Sequence, residues 1–108
     1  MGEKFWIQEF ETGTDRVRIH FITEQGQVKT IVVIQYEAYI DGEWRAIVRF
    51  DEAHGFFHRD IMSPTGAQTK VAEPTDDLGL ALTQAIADIK RNWWLYRKAY
   101  EGKYYGKG

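Results

Sequence analysis

Over most of this chain the hydrophobic pattern repeats every second residue, and only near the end does it repeat about every 3.6 residues; that contrast narrows the folds open to it. From Arg16 to Thr23, Val17, Ile19 and Phe21 alternate with Arg16, Arg18 and His20. Glu24-Gln25-Gly26 reads as a turn. Residues 28–40 then form a long strand, rich in β-branched and aromatic residues, whose even positions Val32, Ile34, Tyr36, Ala38 and Ile40 are all apolar. Asp41-Gly42 is a strong two-residue hairpin signal, because both central positions of the favoured turn need positive φ. In the next strand, residues 43–51, the alternation predicts Trp44, Ala46, Val48 and Phe50 on the core face, with Arg45, Ile47, Arg49 and Asp51 opposite. After an Ala53-His54-Gly55 corner, residues 56–62 read as a further strand with Phe57 and Ile61 toward the core. Ser63-Pro64-Thr65-Gly66 has turn composition, residues 68–71 suit a short edge strand, and residues 4–10 suit another.

Pro74-Thr75-Asp76-Asp77 opens a helix, with Thr75 as the expected cap. Leu78, Leu82, Ala85, Ile86, Ile89, Trp93, Tyr96 and Tyr100 make one stripe at helical spacing, a core stripe expected to supply half of the interior. The helix is expected to end near Glu101-Gly102, leaving 102–108 as a loose tail. The fold class that follows is α+β: an antiparallel meander of four to five strands with one long C-terminal helix across one face.

With 108 residues, the chain is expected to be one domain, 1–108. Its aromatic share of 15% supplies the buried area that a small two-layer fold needs. A net charge of −2 argues against wrapping nucleic acid by bulk electrostatics. The absence of cysteine removes disulfides, thiolate metal sites and thiol nucleophiles. No apolar run approaches a membrane span, and the first residues carry neither a signal pattern nor a myristoylation pattern, so the expected location is the cytoplasm. Trp94, Leu95 and Trp6 fall off the core pattern, so a protein partner or a homodimer is expected, and no membrane.

The stretch from Arg49 to Asp60 packs two of the three histidines, two arginines and three carboxylates into twelve residues. Residues of like parity share a face of a strand, so His58 and Asp60 project together, opposite Arg59. With His54 on the corner and Asp51 or Arg49 beside it, they make a candidate polar pocket. Three chemistries suit it. Imidazoles and a carboxylate hold divalent ions. His54 and His58 suit acid–base cleavage of a phosphodiester, with Arg59 or Arg49 bracing the phosphate. A histidine–aspartate network also suits a purely structural role, pinning the corner. No cofactor is assigned, and none of these residues is assigned as a metal ligand. The candidate set is His54, His58, Asp51, Arg49, Arg59 and Asp60.

The run Val48-Arg49-Phe50-Asp51-Glu52-Ala53-His54-Gly55-Phe56-Phe57-His58-Arg59-Asp60, with Ala87-Asp88-Ile89-Lys90-Arg91-Asn92-Trp93 and Tyr96-Arg97 in the helix, resembles a family of short bacterial proteins of unknown function. More distantly, Arg49, Phe50, Asp51, Ala53, His54 and His58 resemble the strand-borne motif of TumE-type toxins of toxin–antitoxin pairs, which are richer in histidine after the corner. The main functional expectation is a non-catalytic binding module that uses its polar His/Arg/Asp sheet face. The alternative, implied by the second resemblance, is a metal-independent ribonuclease-like toxin acting on RNA, with His54 and His58 as the acid–base pair.

Overall fold

A computed structural model describes residues 1–52 and 55–106. Six strands, β1 (Gly2–Glu9), β2 (Asp15–Glu24), β3 (Gln27–Ile40), β4 (Glu43–Asp51), β5 (His58–Met62) and β6 (Gln68–Ala72), precede one helix, α1 (Leu78–Tyr104). The strands lie in chain order in a single antiparallel sheet. This is the α+β meander the alternation predicts, but with six strands rather than four to five, because both marginal segments at the ends pair. The β2–β3 and β3–β4 turns each place two successive residues at positive φ: Gln25 (54°) with Gly26 (78°), and Asp41 (53°) with Gly42 (81°). Their twist matches that of the flanking strands, which sets the hairpin register.

Three irregularities in that register correct the simple alternation. Between Tyr36 and Glu37 the partner steps from Val48 to Ala46, so Ile47 is an extra residue in β4. A bulge of this kind reverses the faces on one side of it. Val48 and Phe50 therefore lie in the core as predicted, while Trp44 turns to the opposite face, where Arg16 stacks 3.9 Å over its ring and Tyr39 meets its edge. Arg45 takes the helix side instead and bonds the Tyr104 hydroxyl at 3.3 Å. In β3 the partner of β2 skips from Val33 to Ile31. Val32, expected in the core, is consequently 39% exposed, and Ile31 replaces it at 1%.

The helix starts one turn after Pro74. Its cap is Asp77, whose Oδ1 accepts from the Leu80 amide at 3.0 Å, rather than Thr75, which accepts from the Asp77 amide just upstream. It continues to Tyr104, whose hydroxyl donates to Asp41 at 2.7 Å and whose ring stacks on Tyr100. The supposed tail is thus partly helix. The helix lies across β3 and β4. Ala81, Leu82, Ala85, Ile89 and Tyr100 are its buried apolar residues, five of the sixteen among the described residues, so the sheet contributes more than half of the core. Trp93 is only half-buried, packed against the rings of Phe10 and Tyr36, which stack on each other. Among the described residues, no helix is long and apolar enough to cross a membrane.

Candidate functional site on the open sheet face

One face of the sheet carries the helix; the other carries the polar residues. Register sets Asp51 directly opposite His58, and Arg49 opposite Asp60, across β4 and β5. All four project from the face away from the helix, where His58 and Asp60 lie side by side as residue parity predicts. The His58 imidazole is 1% exposed. Its Nε2 lies 3.1 Å from Asp51 Oδ1 and 3.2 Å from Asp60 Oδ2. Its Nδ1 lies 3.1 Å from the Phe56 carbonyl oxygen, and the Phe56 ring tilts against the imidazole at 5.2 Å. Asp60 Oδ1 has the Lys70 ammonium of β6 at 3.1 Å, an ion pair without hydrogen-bond alignment.

Arg49 does not brace this group directly. Its Nε donates to Gln35 Oε1 at 2.7 Å, and Gln35 Nε2 donates to Glu37 Oε2 at 2.6 Å. Glu37 also accepts from Arg16 Nε at 2.6 Å and Arg18 Nε at 3.2 Å. Burial alone raises the Glu37 carboxyl, but bonds from Arg16, Gln35 and Arg18 outweigh it and hold the group below its ordinary range. The result is a row of bonded polar side chains that runs from β2 to β4 and ends at Arg49, across the register from Asp60. Gln35, Glu37, Arg16, Arg18 and Lys70 are not among the sequence-predicted site residues. The signal for them is a cross-strand match, Arg16-x-Arg18 against Gln35-x-Glu37, which appears only once the register is known.

Arg59 stands apart. On the helix side of β5, it donates to the Tyr96 hydroxyl at 2.9 Å and lies 3.3 Å from Glu73. Tyr96 in turn donates to Asp88, and burial first, then that bond, push its phenol up to about 12. There Arg59 lines a cleft of about 500 Å³ with Phe50, Phe57, Glu73, Asp88 and Arg91. It cannot act on a group held at His58, which lies through the sheet. His20 is also remote, three strands from β5, and faces Glu3 at 3.1 Å. His54, with Ala53, lies outside the described residues.

The polar row, the bulges and the helix cap all fall within residues 1–104, which match a family model described as Domain of unknown function (DUF7718). The chain belongs to that family. No curated protein and no solved structure matches it. The family match spans every strand and the helix through Tyr104, so it covers the whole sheet-and-helix unit together with Asp51, His58 and Asp60.

Proposed function

We propose that this protein is a non-catalytic interaction module of the cytoplasm, working through its open sheet face and pairing with a second copy of itself along β1. The observation that carries this is the free side of β1. It is an edge strand of eight residues, and Phe5, Trp6 and Ile7 at its centre are all exposed. Long apolar edges are normally blunted, because their unpaired N–H and C=O groups recruit another strand. A two-fold axis through Trp6, normal to the sheet, satisfies those groups and sets Phe5 against Ile7 of the second copy. It also closes the assembly, leaving no further edge of that kind. The polar faces of the two copies then join into one surface.

Burial of His58 supports a non-catalytic role. A general acid or base must come within hydrogen-bond reach of the proton it moves, and both ring nitrogens of His58 face groups of its own chain. Light scattering at high micromolar concentration is expected to give about twice the 12.6 kDa chain mass. A Phe5→Lys, Ile7→Lys double variant is expected to return the single mass with its melting transition retained. A wild-type mass of 12.6 kDa would defeat the pairing. The alternative, which the resemblance to TumE-type toxins implies, is metal-independent RNA cleavage by His54 and His58. Incubation with RNA in chelator is expected to leave the RNA intact; cleavage abolished by His54→Ala would replace the proposed reading.

A further inference from the structure

We infer that Asp51, His58 and Asp60 form a binding site for a single divalent first-row cation such as Mn²⁺ or Zn²⁺, bridging the end of β4 to the start of β5. The three offer one imidazole nitrogen and two carboxylate oxygens, all within 4.8 Å of one another, and all three residues are buried.

Hydrogen-bond chemistry sets the imidazole in the orientation a ligand needs. The Phe56 carbonyl can only accept, so Nδ1 carries a proton and donates to it. A backbone carbonyl on one ring nitrogen is the usual device that turns the other toward a metal. Here the other nitrogen, Nε2, points at two carboxylate oxygens, which also only accept. A shared proton or a cation can occupy the space among the three atoms. A proton on Nε2 aligns well with one oxygen at a time, whereas a cation satisfies both together.

The spacing suits a cation. Two donors about 2.2 Å from one ion and at right angles to each other lie about 3.1 Å apart. The two Nε2–oxygen separations are 3.1 and 3.2 Å. The second shell is present as well: Lys70 holds the outer oxygen of Asp60 at 3.1 Å, leaving the inner oxygen to the site, and the Phe56 ring covers the imidazole. One imidazole with two carboxylates is a donor set for manganese, iron or zinc rather than for a thiolate-seeking ion. The site sits on β4 and β5, across the sheet from β1, so it stands or falls separately from pairing along that edge.

The test is calorimetric titration of the chelator-treated full chain with MnCl₂ and, separately, ZnCl₂. One equivalent is expected to bind saturably. Asp60→Asn and Asp51→Asn are each expected to weaken binding at least tenfold while keeping the wild-type far-ultraviolet circular dichroism. These variants keep the side-chain volume, so the result does not depend on a His58→Ala chain that folds poorly. Failure of the wild type to bind either ion up to millimolar concentration overturns the site. So does wild-type affinity in both variants, which would place the ion elsewhere.

Discussion

Asp15 shows how a single residue can hold the layers together. Its side chain is 1% exposed at the start of β2 and accepts from Tyr36 at 2.5 Å, Thr12 at 2.7 Å, Arg97 of the helix at 2.9 Å and Thr14 at 3.1 Å. Burial raises its carboxyl, but the bonds from Tyr36, Thr12 and Arg97 prevail and hold it below its ordinary value of 3.8. Glu37 behaves alike on the other face. A carboxyl whose folded value lies below its unfolded one adds stability that is complete above the unfolded value and is lost as pH falls through the folded one. The urea midpoint is therefore expected to hold steady above about pH 5 and to drop below about pH 4, with a shallower acid limb in Asp15→Asn. A midpoint that rises on acidification would contradict this account. At this scale the pairing of His58 with Asp60 was legible from strand parity, while Asp51 joins them through the β4–β5 register. Asp15 and Glu37 were not legible, since their partners come from other strands and from the helix.

At the scale of elements, the alternation located β2 to β5 and lost the face of β4 at one residue. Nothing in Trp44-Arg45-Ala46-Ile47-Val48 marks Ile47 as extra, and an unbroken alternation is the simpler reading of that string. The bulge forms because tertiary contacts reward it. It lets Val48 and Phe50 keep the core while Arg45 reaches the Tyr104 ring at 4.8 Å and Trp44 packs under Arg16. The short outer strands were legible only as marginal segments, because an edge strand has one neighbour and little burial to impose a pattern. The helix stripe was plain, yet its centre of gravity is Ile89, fully buried, rather than half-buried Trp93. Ile89→Ala is expected to cost about 2–5 kcal/mol in chemical denaturation, through lost transfer energy and the cavity left over β3. A loss below about 1 kcal/mol would mean that the helix does not pack on the sheet as described.

At the scale of the whole molecule, the chain is a slab with one covered face. Its extents are 47 × 28 × 20 Å and its radius of gyration is 14.2 Å, against about 13 Å for a compact domain of this length. The long dimension is about what fourteen residues of extended chain such as β3 span, and the middle one about what six adjacent strands need. That shape makes the two ways of pairing measurable. Joining two copies edge to edge along β1 separates their centres by about six strand spacings, roughly 29 Å. Half that distance combined in quadrature with 14.2 Å gives a dimer radius of gyration of about 20 Å. Stacking the open faces instead separates the centres by about one slab thickness, 20 Å, and gives about 17 Å by the same geometry. Small-angle X-ray scattering at a concentration where light scattering shows the doubled mass is expected to return the larger value. A radius near 17 Å would move the interface from β1 to the polar face, where the polar side chains of β2 to β6 would be buried between the copies and the charges of Arg18 and Lys70 would have to find partners there.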